Sequence, residues 1–241
     1  MNSKLKRIYE ERSQIYNCSI EQFEDEGITL MEVESMRGKG YFTLANFRDH
    51  LFVRIDPEME TPIGKLDISL KEKPSDVINA LKDHYSFSDR MIEKTYCYYY
   101  YLKDEPLINH SSLIVKRITD DEVNQLNTFL NGLSEEELEL ADIELDKLDP
   151  VIFSGYLDNK IIGYVSHRYP IGHESIGDIG IVIDSEYRGK GFGKAMLIHE
   201  VNWCLENGIV PMYVVLDDNN ASSSLVQKLG FEQVCEIYRL K

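Results

Sequence analysis

No run of apolar residues in this 241-residue chain approaches the roughly 18 needed to cross a bilayer, so no membrane span is expected. The basic stretch at residues 1–8 is not followed by a long apolar segment, which argues against a secretory leader and for a cytoplasmic protein. Cysteine is scarce, with only Cys18, Cys97, Cys204 and Cys235. No two of them form a C-x-x-C pair and none has a histidine at ligand spacing, so they are expected as reduced, mostly buried thiols, with neither a disulfide framework nor a metal site. Positive charge is also short: 26 Lys and Arg stand against 42 Asp and Glu, a net charge of −16, which leaves no basic face for nucleic acid. What remains is an ordinary globular composition, 43% hydrophobic, in a length that admits one large domain or two small ones.

The first half alternates short helical and extended patterns. Residues 3–16 place Leu5, Ile8, Tyr9, Arg12, Ile15 and Tyr16 on one helical stripe. Residues 28–33 alternate as a strand, and 41–46 with 50–55 read as a strand pair across a short turn. Pro57 and Pro62 bracket a loop, and Pro74 opens a helix to about His84 with Ser75 or Asp76 as its cap. In the strand expected at 94–102 tyrosines fall on both faces, so it is expected to be covered on both sides. The turn Arg37-Gly38-Lys39-Gly40 echoes a glycine turn later in the chain. Extended-looking sequence follows it instead of a helix, so it reads as a tight turn between strands and not as an anion site. The polar, proline-containing stretch 104–112 sets the expected boundary between an N-terminal α+β domain over 1–112 and a second domain over 113–241.

The second half is more regular. A strand at 113–118 leads into Thr119-Asp120-Asp121-Glu122, a capping box that starts a helix to about Gly132. Ser134 and Glu137 repeat the device for a second helix, expected to carry Leu138, Ala141, Leu145 and Leu148 as far as Pro150. Strands at 151–157 and 161–167 form a hairpin, and another strand covers 176–184. Next comes Tyr187-Arg188-Gly189-Lys190-Gly191-Phe192-Gly193-Lys194, which opens a helix over 195–207. A strand, a glycine-rich turn and a helix start together aim backbone amides at a phosphate, and glycines without a Cβ let it come close. A strand at 210–216, a short helix at 221–229 and a last strand at 232–240 complete the order β-α-α-β-β-β-α-β-α-β.

That order, together with two motifs, resembles the GNAT superfamily of acyl-CoA-dependent N-acyltransferases. The family pattern Gln/Arg-x-x-Gly-x-Gly/Ala is met by Arg188, Gly191 and Gly193, and Asn219-Asn220-Ala221-Ser222 leads to Lys228-Leu229-Gly230-Phe231. The resemblance covers 113–241 and leaves 1–112 unmatched. It implies an α/β fold with a mixed central sheet flanked by helices, acetyl-CoA as cosubstrate and no metal. It also implies direct acetyl transfer to a small amine within a ternary complex. By the same resemblance, main chain at Ile181, Val182 and Ile183 would bond the pantetheine arm, with Gly180 as a bulge that parts this strand from the next. Amides of Arg188, Gly189, Lys190, Gly191, Phe192, Gly193 and Lys194 would hold the pyrophosphate, with Arg188, Lys190 or Lys194 adding a cation. Asn219 and Ser222 would lie near the thiol, although both also suit a helix start.

An amine with a pKa of about 10.4 must lose a proton before it attacks, so a base is needed. Asp178 is the first candidate, followed by Glu174 with His173 beside it. Many family members carry a tyrosine two positions before the lysine of the second motif, to protonate the leaving thiolate. Here that position is Val226, so Ser222 is expected to take the role unless the thiolate leaves unaided. Between Thr119 and Asp149 stand eleven acids and one lysine, compatible with an acidic rim that concentrates a cationic acceptor and equally with a solvated acidic face. The tyrosines at 96–101 and His167-Arg168-Tyr169 could line the acceptor cavity, with core packing the first reading for most of those tyrosines. Two rivals stay open: a non-catalytic acyl-CoA-binding module and a modifier of protein N-termini. Nothing in the sequence sets an oligomeric state.

Overall fold

The structure, a computed structural model, describes residues 2–59, 73–87, 90–141, 143, 149, 151–170 and 174–240. In chain order its elements are α1 (Ser3–Ile15), β1 (Gly27–Glu32), β2 (Phe42–Phe47), β3 (His50–Ile55), α2 (Pro74–His84), β4 (Ile92–Tyr99), β5 (Ile114–Arg117), α3 (Val123–Leu130), α4 (Glu135–Leu140), β6 (Val151–Leu157), β7 (Lys160–Arg168), β8 (Ile176–Ile183), α5 (Phe192–Glu206), β9 (Val210–Leu216), α6 (Asn220–Leu229) and β10 (Glu232–Leu240). From β5 onward this is the order expected. Pro62, His173 and the expected continuation of α4 through Leu145 and Leu148 to Pro150 lie outside the described residues.

The chain forms two compact units whose segments interleave: one of 1–98, 214–223 and 232–241, the other of 99–213 and 224–231. The last strand joins the first unit because β10 runs antiparallel to β2, with Cys235 opposite Phe47 and Arg239 opposite Thr43. A single cut of the chain near 112 would sever that ladder.

In the first unit the strand order is β1-β3-β2-β10-β4. Side chains alternate across the strands, so β2 and β3 bury both faces. One face packs Leu44, Leu51 and Val53 against Val77, Ile78 and Leu81 of α2. On the other, Phe47 and Phe52 meet Tyr16, just past α1, and Phe23, at centroid distances of 4.9–5.7 Å. The N-cap of α2 is Lys73, and neither Ser75 nor Asp76 caps it. Pro74 takes the first helical position, where its missing N–H costs nothing, so the cap falls ahead of those polar residues. The strand of tyrosines is buried at Cys97, Tyr98, Tyr99 and Tyr100, as its two-faced pattern implied.

The turn at 37–40 leads into β2, with Gly38 and Gly40 left-handed at φ 73° and 64°. It holds an anion after all, one supplied by the chain itself. The Asp56 carboxylate accepts from the amides of Gly38 (3.1 Å), Gly40 (2.6 Å) and Glu58 (2.8 Å). Burial alone would push the Asp56 carboxyl up, but these amides and that of Lys39 outweigh it and hold the group below the ordinary carboxylate range.

In the second unit the order is β9-β8-β7-β6-β5, antiparallel except for a parallel β8–β9 pair. Asp158 and Asn159, both at positive φ, close the β6–β7 hairpin in the sense that matches strand twist. One face is covered by Leu126 and Leu130 of α3 and by Ala141, which pack on Tyr156, Ile161, Tyr164 and Val182. The other face receives α5. Gly155 and Gly163 stand opposite each other, and a Cβ on either would come within 2.7 Å of Met196 Sδ. That glycine pair lets α5 seat closely on the sheet and fixes where its first turn begins.

Candidate functional site

The site is built at the end of β8. Asp184 donates its amide to the Ile162 carbonyl at 2.9 Å. In an antiparallel ladder, bonded and non-bonded pairs alternate, so Val182, Gly180 and Asp178 bond across to β7. The amides and carbonyls of Ile179, Ile181 and Ile183 therefore point to the β9 edge. The ladder to β9 runs only from Ile176 opposite Val210 to Asp178 opposite Met212. Past that point the main chain of Ile181 lies beyond the last pair, while that of Val182 serves β7. The Ile183 carbonyl accepts from Arg188 Nε at 2.9 Å.

No bulge at Gly180 causes the parting: the β7–β8 register is continuous from Gly163 to Arg168. The glycine is needed for another reason, since a Cβ there would lie 2.4 Å from the Ala141 carbonyl oxygen at the end of α4. The strands part because β9 stops pairing.

A short turn over Ser185–Tyr187 then leads to the glycines. Gly189 and Gly191 are left-handed, at φ 73° and 83°. A Cβ at either would meet nothing within 4 Å, so space is open above both. Gly191 is the N-cap of α5 and offers no side-chain cap. Ala195 is the first residue of the helix to donate backward, to Gly191 at 3.1 Å. The preceding amides, of Phe192, Gly193 and Lys194, thus point out of the helix start with the positive end of its dipole. The two glycine turns of the chain differ in this respect: the first is filled by Asp56 and the second is open.

The cations divide differently from expectation. Arg188 bonds the Ile183 carbonyl and pairs with Glu137 of α4, so it braces the loop from within. The Ser134 amide and hydroxyl, then the Arg188 charge, hold the Glu137 carboxyl below its ordinary range. Lys190 donates to the Glu186 carbonyl at 2.9 Å. Lys194, exposed at the helix start, makes no ion pair among the described residues. A pocket of about 370 Å³ lies beside this brace, lined among others by Thr128, Phe129, Glu137, Lys160, Asp184 and Ser185.

Asp178 is half-buried on β8, across from Arg168 and about 17 Å from Ile183 at 3.3 Å per residue. It shares a sheet face with Gly180, Ser166 and Tyr164. Asp149 accepts from Ser166 Oγ and, at 3.4 Å, from Tyr164. Burial pushes the Tyr164 phenol up. Sequence reasoning missed Asp149, Ser166 and Tyr164 as a cluster. The period-two pattern of β7 puts the last two on one face, but only folding brings Asp149 to them. Glu174 is an exposed turn residue. Of the eleven acids, Asp120, Asp121, Glu135, Glu136 and Glu139 are exposed, and Glu122 and Glu137 are engaged in capping boxes and ion pairs.

Asn219 and Ser222 belong to the first unit, apart from the other candidates, which all belong to the second. Asn219 Oδ1 accepts from the Ser222 amide at 3.1 Å, so the asparagine serves as a cap at the start of α6. Val226 is fully buried, and the position of the family's tyrosine is part of the core.

A strand edge whose parallel neighbour stops pairing lies next to a glycine turn with open amides at a helix start, an arrangement that suits an extended, phosphate-bearing molecule. Residues 116–231 match the model of the acetyltransferase (GNAT) family. Over 67 residues the chain is 37% identical to mycothiol acetyltransferase of Renibacterium salmoninarum, covering 27% of this chain and 20% of that protein. Over 124 residues it is 29% identical to the uncharacterized N-acetyltransferase YdfB of Bacillus subtilis, covering 52% of this chain and 46% of that one. The chain thus spans less than half the length of these curated relatives. A GNAT-family acetyltransferase structure from Colwellia psychrerythraea superimposes with a TM-score of 0.49 at 15% identity, over 66% of this chain and 60% of that one.

Proposed function

We propose that the second unit carries an N-acetyltransferase site that moves an acetyl group from acetyl-CoA to a primary amine of a small, cationic molecule. The observation that carries this reading is the open loop: outward amides at Phe192, Gly193 and Lys194, Cβ-free approach at Gly189 and Gly191, and the unpaired Lys194 together suit a pyrophosphate. Ile181 main chain past the last β9 pair suits an extended amide-bearing arm. Bound acetyl-CoA supplies an activated thioester.

The chain's residues then act on the acceptor. Asp178, down the strand from the loop, takes the amine proton directly or through water. At a reference pKa of about 10.4, neutralising an alkylamine near pH 7 costs roughly 4–5 kcal/mol, which a positioned carboxylate offsets in the transition state. The free amine attacks the thioester carbonyl, a main-chain amide of the β8 edge holds the developing oxyanion, and the C–S bond breaks. The thiolate leaves unaided or takes a proton from Ser222, by likeness to the family motif. Asp149, the exposed Asp120 and Asp121 before α3, and Glu135, Glu136 and Glu139 of α4 favour a cationic acceptor over a neutral one.

The test is thiol release from acetyl-CoA with a panel of polyamines, aminoglycosides, amino acids and peptide N-termini. Release with a cationic small amine, lowered by Asp178→Asn more in kcat than in KM, supports the reading. Thermal stabilisation by acetyl-CoA with no release from any amine identifies a binding module instead. Release with peptides alone identifies a modifier of protein N-termini. No thermal shift with coenzyme A or acetyl-CoA overturns the reading altogether.

A further inference from the structure

Behind the sheet, on the face away from Asp178, lies a second cluster that the proposed transfer does not use. Glu200 and Cys204 stand one turn apart on α5 and so point to one spot. His167 of β7 meets them there. All three side chains are fully buried. His167 Nδ1 lies 2.6 Å from Glu200 Oε1, and Cys204 Sγ lies 3.9 Å from the same oxygen. The three ligand atoms lie within 4.8 Å of one another.

Packing alone does not account for the cluster. His167 Nε2 and Glu200 Oε2 are buried without a hydrogen-bond partner, a cost that apolar residues of the same shape would avoid. The Cys204 thiol packs against the same buried carboxylate. A cation held by His167 Nδ1, Glu200 Oε1 and Cys204 Sγ would offset the buried carboxylate charge and favour the thiolate. Trp203 and Tyr169 flank the imidazole, each with its ring centroid 5.2 Å away. Gly177 leaves the ring its space, since a Cβ there would stand 3.1 Å from His167 Cδ2.

We infer that His167, Glu200 and Cys204 form a structural binding site for a zinc-like divalent cation that ties α5 to β7. One nitrogen, one oxygen and one sulfur donor in a dry core suit Zn²⁺ above harder cations. With standard bond lengths, tetrahedral ligands sit about 3.3 Å apart for N and O and about 3.6 Å apart for S and O. The S–O pair needs almost no movement, and the N–O pair must open by about 0.7 Å as its shared proton is lost. Binding is balanced without any redox step. The Cys204 S–H bond gives way to S–metal and its proton is released, while the hydrogen bond between His167 Nδ1 and Glu200 Oε1 gives way to N–metal and O–metal as the imidazole proton moves to Nε2. The inference does not depend on what the glycine loop binds.

The test uses the full chain, stripped with chelator, reloaded with Zn²⁺ or Co²⁺ and desalted. A single retained equivalent, a raised Tm, and a thiolate-to-cobalt charge-transfer band in the near ultraviolet are expected. Cys204→Ser should abolish the band and weaken binding roughly a hundredfold, and the isosteric Glu200→Gln should weaken it at least tenfold. Should the serine variant not fold, the band in the unaltered chain and the Glu200→Gln affinity decide the matter. No retained metal overturns the inference, and so does an equivalent that both variants retain unchanged.

Discussion

Gly191→Ala tests whether the open glycine turn is where the phosphates sit. Gly191 is left-handed, at φ 83°, and a side chain there costs roughly 1–2 kcal/mol in backbone strain. For a chain of this size that lowers Tm by roughly 2–8 °C. The added methyl meets no protein atom within 4 Å, so any further effect must come from what occupies the open space. Losing one close amide contact to an anion is worth about 1.5–3 kcal/mol, so acetyl-CoA should bind roughly ten- to a hundredfold more weakly. Gly193→Ala is the control. Gly193 has ordinary helical geometry, and its Cβ would rest 3.6 Å from Ile183 Cγ1, a normal contact. Alanine is the better helix former there, so this variant should be at least as stable as the parent and should keep its affinity. Calorimetric titration with acetyl-CoA alongside thermal unfolding reads both quantities. If Gly191→Ala binds acetyl-CoA like the parent, no phosphate lies over this turn and the assignment of the loop falls.

Three other variants probe the frame. Val226→Tyr should restore the family's tyrosine in name only: the position is buried, so overpacking should cost about 1–3 kcal/mol and thiol release should not rise. Asn219→Ala should lose about 1 kcal/mol of helix capping, whereas Asn219→Asp should keep the cap; if both weaken acetyl-CoA binding equally, the side chain has a role besides capping. Asp56→Ala should lower Tm at neutral pH. In the parent chain the Asp56 contribution is present above the ordinary aspartate pKa of about 3.9 and is lost as pH falls through its depressed folded value. Acid unfolding curves of the two proteins should therefore converge at low pH.

The elements of residues 113–241 were legible because each carried its own punctuation. The capping boxes at Thr119 and Ser134 both form, and the glycine turn opens a helix on schedule. What the sequence hid was pairing across distance. Gly180 looked like a bulge, but its need for no side chain comes from Ala141, nearly forty residues earlier. Arg188 looked like a phosphate cation, but its partner Glu137 is 51 residues away. His167 and Glu200, 33 residues apart, carry no spacing that a motif could capture. In the first half, α2 opens at Pro74 as read, but its cap was misassigned, because Ser75 and Asp76 look like caps while the proline at the first helical position makes Lys73 the N-cap.

The turn at 37–40 shows what it means for an anion to be tethered. Asp56 is fixed in the same chain, so its carboxylate faces the Gly38 and Gly40 amides at an effective concentration that free phosphate does not reach. Occupancy of that turn is therefore independent of metabolite level. The amides at 192–194 meet no such carboxylate among the described residues, and under the proposed function a ligand from solution would satisfy them. One chain thus carries the same local chemistry twice, once filled by its own carboxylate and once left open to solvent.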